Sequence, residues 1–404
     1  MSTRRRLCRG ADPARAQSIA ELRAMAVRRL PNFCLEYLEG GADDEITLAR
    51  NRRALDEILL LPRTLVDVSH RTLAVPLFGQ DVALPAIIAP TGFNGLLTHE
   101  GDRVLAEVAR EAGIPLCQSM VSTVALEEVA ATGVRHWMQI YPFKDRANLA
   151  SVVKRAERAG SEAIVLTTDA SVFGNREWDR RNYRAPMKLS LANLLDVALH
   201  PRWVFDVLVP HGVPRFRNLG DFLPPGMDSA KNAAAFLATQ MDTSLTWDDV
   251  RWLRDLWPRN LLVKGVVLPE DALRAREAGA DGVIVTNHGG RQLDTCPAPV
   301  EMLAAVREAV GPGMTVIVDS GFRRGSDFVK ARALGADAAL SGRATLYGLA
   351  AAGHAGAARA VEILRSEMER TLGLIGCAQM REVDGCFVSA PPAIRDARVL
   401  RSSR

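Results

Sequence analysis

The segment VTNHGGRQLDT, residues 285–295, places a histidine and an arginine three positions apart with two glycines between them. His288 follows an apolar run typical of a buried strand, and Gly289 and Gly290 leave space for backbone or substrate to approach closely. An imidazole can transfer a proton near neutral pH, and a guanidinium can bind a carboxylate through two parallel hydrogen bonds. His288 and Arg291 therefore indicate acid–base chemistry on a small acidic substrate.

Other charged residues interrupt or end apolar runs. Asp169 ends AIVLTTD and needs a partner if it is buried, and His288 is a suitable one. Arg176 follows soon after and suits a carboxylate, as Arg291 does. Lys264 lies within LLVKGVV, where a buried ammonium requires an anion, such as a ligand that becomes negative during a reaction. The structural alternatives are a helix N-cap for Asp169 and ion pairs for the arginines.

Glycine and arginine recur together after two late apolar runs, in DSGFRRGSD (319–327) and SGR (341–343). In barrel enzymes this region binds phosphate through backbone N–H groups and a helix N-terminus. Arg323 and Arg343 would add cationic donors. The two segments together predict a phosphate site.

Eight short apolar runs, each followed by a helical pattern, account for most of the chain. Runs that are apolar at nearly every position are typical of parallel strands buried on both faces. The pattern predicts an α/β fold, a (β/α)8 TIM barrel, with a doubly wound sheet as the alternative, although PTGFNG after the first run is not the G-x-G-x-x-G turn of that fold. The runs are residues 86–90, 115–119, 136–141, 163–169, 260–266, 282–287, 315–320 and 338–343.

Barrel enzymes build their sites at the carboxyl ends of the strands. Polar and charged residues stand at or just after the end of every predicted strand, which is stronger evidence for a site than any single motif. The residues at these ends are Pro90, Thr91, Gly92, Ser119, Gln139, Tyr141, Thr167, Asp169, Lys264, Thr286, His288, Asp319, Gly321, Gly342 and Arg343.

Three regions flank or interrupt the predicted barrel of residues 81–385. Residues 1–80 are expected to form a helical segment and lid, and residues 386–404 a flexible tail. Residues 184–246 form an insertion, of which 184–217 is rich in apolar and basic residues. This part is expected either to lie on a membrane surface or to cap the barrel or an oligomer interface. Asp196 and Asp206 interrupt its apolar face and weaken the membrane interpretation.

Composition excludes several classes of protein. The chain has 404 residues, of which 48% are hydrophobic, and a net charge of only +4 without a basic stripe, which argues against nucleic-acid binding. Six cysteines without a C-x-x-C pair argue against disulfides or a metal site and suggest a cytoplasmic location. Neither a secretory signal nor an apolar run long enough to span a membrane is expected.

Taken together, these motifs closely resemble the FMN-dependent 2-hydroxy acid dehydrogenase and oxidase family. The resemblance runs from about residue 20 to about residue 380 and includes LPNFCLEYLEGGADDE, NHGGRQLD, LVKGV, DSGFRRGSD and LSGRATLYGLAA. It is closest to the mandelate dehydrogenase branch through PTGFNG, LTTDASVFGNREWDRRNY, HPRWVFDVL and QMDTSLTWDDVRWLRDLWP. The resemblance implies an enzyme with FMN as its cofactor.

It also implies a role for each site residue. His288 would be the base and Asp169 its partner, Arg176 and Arg291 would bind the substrate carboxylate, and Tyr37 and Tyr141 would place hydroxyls beside it. Lys264 would lie next to the flavin ring, which Thr91, Ser119, Gln139 and Thr167 would hydrogen-bond. Pro90, Gly92 and Thr286 would also border the flavin, Asp319 the ribityl chain, and Gly321, Arg323, Gly342 and Arg343 the phosphate.

The implied substrate is an (S)-2-hydroxy acid, with mandelate or another aromatic acid favoured because Gly92 and Val121 would leave room for a phenyl group. The electron acceptor is expected to be a quinone, or oxygen if the enzyme is an oxidase of 4-hydroxymandelate, lactate or glycolate. A tetramer is expected, with peripheral contact at the inner face of the membrane as an addition to the cytoplasmic location. Other barrel chemistry at Cys296, or a binding module without chemistry, are the alternatives outside this family.

Overall fold

The computed structural model describes residues 10–185, 188–219, 222–223, 236 and 239–389. The N-terminal segment forms three α-helices and then short strands, and many of its apolar residues are buried. Ser18 caps the first helix by accepting a hydrogen bond from the backbone N–H of Glu21. The elements are α1 (Ile19–Arg29), α2 (Asn32–Glu39), α3 (Ile46–Glu57), β1 (Leu59–Leu60) and a hairpin of β2 (Val75–Leu77) with β3 (Gln80–Val82).

Eight parallel strands close into a barrel, which confirms the predicted (β/α)8 fold and excludes the doubly wound sheet. Each strand corresponds to one of the eight apolar runs, and most end one or two residues before the run does. The strands are β4 (Ala86–Ile88), β5 (Leu116–Ser119), β6 (His136–Ile140), β7 (Ala163–Thr167), β10 (Asn260–Val266), β11 (Gly282–Val285), β12 (Thr315–Val318) and β13 (Ala338–Ser341). The residues just past these ends form the rim of the barrel.

Helices surround the strands and bury their apolar faces against them. Asp145 caps one helix by accepting hydrogen bonds from Ala147 and Asn148, and Gly113 ends another in the left-handed conformation. The last helix is kinked at Ala352 and Gly353. The helices are α4 (Gly101–Ala112), α5 (Leu126–Ala130), α6 (Arg146–Arg158), α10 (Trp247–Leu256), α11 (Pro269–Glu277), α12 (Pro299–Val310), α13 (Gly325–Ala333) and α14 (Arg343–Ile375).

The insertion after β7 packs on the N-terminal helices. The Trp203 indole N–H donates to the backbone oxygen of Leu96 at 2.7 Å, and its ring meets Phe33 edge-on at 5.8 Å. Much of residues 220–238 lies outside the described residues. The chain between β7 and the insertion forms α7 (Glu177–Arg181). The insertion itself begins within β8 (Tyr183–Ala185) and continues with β9 (Lys188–Leu189), α8 (Leu191–Ala198), α9 (Pro201–Trp203) and a π-helical turn (Val204–Leu208).

The two acidic residues of this segment face the protein. Asp196 accepts a hydrogen bond from the backbone N–H of Asn32 at the start of α2. Asp206 pairs with Arg29 at 3.1 Å, and Arg29 also donates to two backbone oxygens. Both aspartates therefore help to dock the segment on the N-terminal helices, although the Asp206 side chain remains 46% exposed. Its exposed apolar side chains are Leu191, Leu194, Leu195, Leu199, Phe205, Val209 and Val213.

The start of the expected flexible tail is ordered. β14 (Val388–Ser389) pairs antiparallel with β1, and Phe387 is buried. Residues 390–404 lie outside the described residues. Within the described part of the chain, no helix is both long and apolar enough to cross a bilayer.

Candidate active site

A cavity of about 500 Å³ lies at the carboxyl ends of the barrel strands. Five of the predicted site residues, Asp169, Ser119, Gln139, Thr167 and Thr286, lie outside its wall, and hydrogen bonds join each of them to another predicted site residue. The other predicted residues line the cavity: Tyr37, Pro90, Thr91, Gly92, Tyr141, Arg176, Lys264, His288, Arg291, Asp319, Gly321, Arg323, Gly342 and Arg343.

His288 and Asp169 form a hydrogen-bonded pair between the ends of two strands. Nδ1 of His288 lies 2.9 Å from Oδ1 of Asp169, and the His288 backbone N–H donates to the Thr286 hydroxyl at 3.0 Å. His288 has a positive φ of 58°, which turns its ring out of the strand direction and into the cavity. The carboxylate fixes the imidazole with Nδ1 protonated, which leaves Nε2 as a proton acceptor.

Burial and neighbouring charges set the protonation of this pair. Burial lowers the pKa of His288 below its ordinary value, and the nearby Lys264 and Arg291 act in the same direction against Asp169. Burial alone would raise the pKa of Asp169, but His288 and Lys264 outweigh it and hold that pKa below its ordinary value. A neutral imidazole beside an ionised carboxylate is the arrangement that a general base needs at neutral pH.

Two arginines enter the cavity from different elements. Arg291 donates from Nη1 to the backbone oxygens of Tyr37 and Gly40 at 2.9 and 2.8 Å, so one side of its guanidinium is anchored. Burial, followed by the repulsion of Arg176 and Arg343, lowers the pKa of Arg291. Cations that are held next to each other away from bulk water favour an anion between them, and a carboxylate matches their planar geometry.

The hydroxyls of two tyrosines complete this side of the cavity. The Tyr37 hydroxyl donates to the backbone oxygen of Gly92 at 3.3 Å, and the Tyr37 ring lies 5.4 Å from the Arg291 guanidinium. Burial raises the pKa of both Tyr37 and Tyr141. Both phenols therefore remain neutral donors at physiological pH.

The opposite side of the cavity carries a buried lysine and a chain of amide and hydroxyl groups. Lys264 is 3% exposed, and its Nζ lies 3.9 Å from Oδ2 of Asp319. Behind it, the Ser119 hydroxyl donates to the side-chain oxygen of Gln139 at 3.1 Å, and Gln139 donates to the Thr167 hydroxyl at 2.9 Å. A buried ammonium that lies 3.9 Å from the Asp319 carboxylate, beyond hydrogen-bond distance, fits a flat ligand that carries both hydrogen-bonding groups and negative charge.

Arginine and glycine surround the cavity near the starts of α13 and α14. Arg343 donates to four backbone oxygens, among them those of Leu38 and Gly289, so it also fastens the N-terminal segment to the barrel. Burial and the adjacent Arg323 lower the pKa of Arg343. A side chain at Gly321 would meet the Asn51 backbone oxygen at 2.6 Å, so only glycine fits there. Arg323 and Arg343, which stand at the starts of α13 and α14, fit the phosphate of the expected cofactor.

Sequence reasoning missed two groups in the cavity wall. Asp179 faces both carboxylate-binding arginine candidates, and its position three residues after Arg176 at the start of a helix was an available signal. Phe216 comes from the insertion and lies 4.9 Å from Phe93 between ring centroids. A barrel cap was one expectation for this part of the insertion, but no sequence signal singled out Phe216 as the side chain that enters the cavity wall.

Gly92 lies directly against the side chain of Val121. A Cβ atom on Gly92 would lie 2.5 Å from Cγ2 of Val121 and 3.5 Å from the Tyr37 hydroxyl. Glycine at this position is therefore required by the valine, and part of the room expected for a phenyl group is filled by Val121 itself.

The chain forms a parallel (β/α)8 barrel with a charged cavity at the carboxyl ends of its strands. This is the architecture typical of barrel enzymes. Comparison with known proteins defines the class further. Residues 26–390 match the model of the FMN-dependent dehydrogenase family.

Individual relatives cover nearly the whole chain. The chain is 44% identical to (S)-mandelate dehydrogenase from Pseudomonas putida over 89% of this chain and 90% of that protein. It is 39% identical to an L-lactate oxidase from Nostoc sp. over 92% and 97%, respectively. A crystal structure described as the monotopic membrane protein (S)-mandelate dehydrogenase superposes with a TM-score of 0.89, at 42% identity, covering 93% of this chain and all of that one.

The chain belongs to the FMN-dependent dehydrogenase family. This membership confirms the family, the fold, the FMN cofactor and an enzyme of the 2-hydroxy acid dehydrogenase type as predicted from the sequence. It leaves the role of each site residue to be argued from the geometry.

Proposed function

We propose that this enzyme oxidises an aromatic (S)-2-hydroxy acid of the mandelate type to the 2-keto acid, with His288 as the base. The observation that carries the proposal is the 2.9 Å pair of His288 and Asp169 in the same cavity as Arg176 and Arg291. A proton acceptor and a carboxylate-binding site thus lie within reach of one small substrate. FMN, when bound, accepts the two electrons that the substrate loses.

His288 accepts a substrate proton at Nε2, because Nδ1 is held by Asp169. The imidazolium formed in this step is stabilised by the buried carboxylate, whose second oxygen, Oδ2, has no hydrogen-bond partner among the described residues. Lys264, which is close enough to both members of this pair to shift their pKa values, offsets negative charge that develops on the bound ligand.

Arg291 and Arg176 bind the substrate carboxylate, and Tyr37 and Tyr141 donate hydrogen bonds to the carboxylate and to the 2-oxygen. Nη1 of Arg291 is anchored to backbone oxygens, so its Nη2 side is left for the ligand. Holding the carboxylate at fixed points orients the α-carbon toward His288, which is how positioning accelerates a reaction between bound groups.

The remaining predicted residues hold FMN. Lys264 and Thr91 would bind the flavin ring from the wall of the cavity, with Pro90 and Gly92 beside it, and Ser119, Gln139, Thr167 and Thr286 would support it from just behind that wall. Asp319 binds the ribityl chain, and Gly321, Arg323, Gly342 and Arg343 bind the phosphate. The support for this assignment is the buried ammonium, the chain of amide and hydroxyl groups and the paired arginines described above.

An aromatic side chain on the substrate is supported by the apolar part of the cavity wall. This part is formed by Phe93, Leu97, Val121, Phe173 and Phe216. Aromatic and aliphatic walls favour a phenyl group over a methyl group through the apolar area that is removed from water.

The test is anaerobic mixing of the FMN-loaded enzyme with (S)-mandelate, (R)-mandelate, (S)-lactate and glycolate, with the loss of flavin absorbance as the readout. We expect (S)-mandelate to bleach the flavin with the highest ratio of rate to dissociation constant. His288→Ala should retain FMN and lose bleaching by at least about 10²-fold. Rapid bleaching of the His288→Ala variant would contradict the role of the base, and preference for lactate would contradict the aromatic substrate.

The second candidate is an oxidase that passes electrons to oxygen and forms hydrogen peroxide. Similarity to an L-lactate oxidase and to structures of a mandelate oxidase supports it. We propose a quinone as the acceptor instead, because the insertion presents an apolar surface suited to a membrane. Peroxide formation in air, compared with reduction of a soluble quinone, distinguishes the two acceptors.

We further propose that residues 191–213 contact a membrane surface, at the inner face of the cytoplasmic membrane. They expose several leucines, a phenylalanine and valines, and a structural neighbour is described as a monotopic membrane protein. Arg202 and Arg215 would lie near anionic headgroups.

Co-sedimentation with phosphatidylglycerol vesicles tests this contact. Leu195→Gln should weaken binding, whereas Leu374→Gln should not, since both leucines are 70% exposed but Leu374 lies on α14. Equal binding of both variants would favour a cap or an oligomer interface. Analytical ultracentrifugation of the same proteins tests the tetramer, and dissociation caused by Leu195→Gln would assign the surface to that assembly.

A further inference from the structure

Asp179 is a carboxylate in the cavity wall that the acid–base pair does not use. Its Oδ2 lies 3.6 Å from Nη1 of Arg176 and 3.9 Å from Nη2 of Arg291. Its Oδ1 is buried without a hydrogen-bond partner among the described residues. Burial raises the pKa of Asp179, and the nearby Glu36 acts in the same direction. Arg291 and Arg176 act in the opposite direction, but the pKa stays above its ordinary value.

Both distances exceed the range of a hydrogen bond between charged groups. The carboxylate therefore neutralises the two guanidinium groups without using up their donors. Those donors remain for a second carboxylate that arrives with a ligand.

The two arginines differ in how firmly they are held. Arg291 is anchored by two backbone oxygens and by the Tyr37 ring. Arg176 precedes α7, and its side chain is 26% exposed. Repulsion between the two cations would move Arg176, the less constrained one, toward solvent. Asp179, one helical turn after Arg176, counteracts this repulsion.

We propose that Asp179 is a positioning residue that holds the Arg176 guanidinium beside Arg291, so that both cations meet the substrate carboxylate together. The inference rests on the proposed carboxylate site. It assigns to Asp179 no contact with the substrate and no proton transfer.

The experiment uses the FMN-loaded enzyme and benzoate, a carboxylate that has no hydroxyl to oxidise, with the flavin spectrum as the readout of binding. Asp179→Asn removes the charge at nearly constant size and should raise the benzoate Kd about tenfold, equivalent to about 1.4 kcal/mol. The limiting rate of flavin bleaching by (S)-mandelate should fall by a smaller factor than the benzoate Kd rises, because His288 and Asp169 are unchanged and only the orientation of the substrate is affected. A general loss of structure would lower both the bleaching rate and the Tm.

Asp179→Glu restores the charge and should bind benzoate within about threefold of the wild type. Glu177→Gln is the matched control, because Glu177 lies in the same helical turn but pairs with Arg181. In an Arg176→Lys background, which keeps the charge but loses the planar fork, Asp179→Asn should have little further effect on Kd.

The outcomes separate the two proposals. If Arg176→Lys alone leaves the benzoate Kd unchanged, the carboxylate site itself is wrong. If Arg176→Lys weakens binding but Asp179→Asn changes Kd by less than about threefold, only the role of Asp179 is wrong. An effect of Asp179→Asn that is equally large in the Arg176→Lys background also overturns that role. If the Asp179→Asn variant does not retain FMN, the Asp179→Glu variant becomes the test. Weak benzoate binding by that variant, folded and loaded with FMN, would then overturn the role of Asp179.

Discussion

Replacing Asp169 with asparagine isolates the electrostatic contribution of the carboxylate to the base. The side chain keeps its size, but the 2.9 Å contact with His288 loses its charge. Asp169 is the neighbour that raises the pKa of His288 against burial, Lys264 and Arg291. The variant therefore carries a weaker base, and the imidazolium formed during the reaction loses its buried counter-ion.

The size of the effect follows from the type of interaction lost. A hydrogen bond to a charged group contributes about 1.5–3 kcal/mol. Because the imidazole gains its charge only as the reaction proceeds, this energy appears mainly in the barrier. A loss of about 1.5–3 kcal/mol slows the reaction roughly 10- to 150-fold. FMN binding should change little, since Asp169 bonds to the base His288 and is not among the residues assigned to the cofactor.

Anaerobic stopped-flow bleaching by (S)-mandelate, measured across pH, tests both parts of this reasoning. The rate should rise with pH as His288 loses its proton, and in the wild type this rise should lie below the ordinary histidine pKa of about 6.5. In Asp169→Asn the rise should move to still lower pH, because a contribution that raises the pKa of His288 is removed. The plateau should fall at the same time.

A plateau within about threefold of the wild type, or a rise displaced to higher pH, would refute the reasoning, because the lost interaction should slow the reaction by more than that. Asp169→Glu is the charge-conserving control, and it should retain the direction of the pH dependence.

Three further changes probe the cofactor site, the substrate pocket and the fold. Lys264→Met should lower the midpoint potential of the bound flavin by roughly 30–60 mV in a redox titration, because the buried cation favours negative charge on its ligand. Gly92→Ala should reduce kcat/KM for (S)-mandelate about tenfold, and adding Val121→Ala should restore it, since the new Cβ would lie 2.5 Å from that valine. Gly348→Ala should lower the unfolding free energy by about 3 kcal/mol in urea titrations, because its Cβ would lie 2.2 Å from the Gly356 backbone oxygen.

The fold could be predicted because its determinants are local. Parallel strands that are buried on both faces require nearly continuous apolar runs, and VIVDS or GVIVTN cannot be confused with an amphipathic helix of the same length. The apolar runs do not fix the residue at which each strand ends. Thr168 and Asp169 continue the run of β7, yet Asp169 leaves the ladder to reach His288 on the next-but-one strand.

Site residues that stand at the ends of strands could be predicted from the sequence. Closure of the barrel brings all of those ends together, whatever the lengths of the loops between them. Contacts made by other elements follow no such rule. Asp179 reaches the cavity wall from a short helix after β7, and Phe216 reaches Phe93 from the insertion. Their positions depend on how the long segment between β7 and α10 folds, which periodicity does not encode.

The aspartates of the insertion show why charge counts along a segment mislead. In sequence, Asp196 and Asp206 reduce the apolar character of residues 184–217 and argue against a membrane surface. In the structure the same residues bond to Asn32 and Arg29, so they fix which side of the segment faces the protein. Asp206 and Arg202 nevertheless remain exposed on this segment, at 46% and 60% of their side chains. A charge count therefore cannot separate residues that dock a segment from residues that a partner would meet.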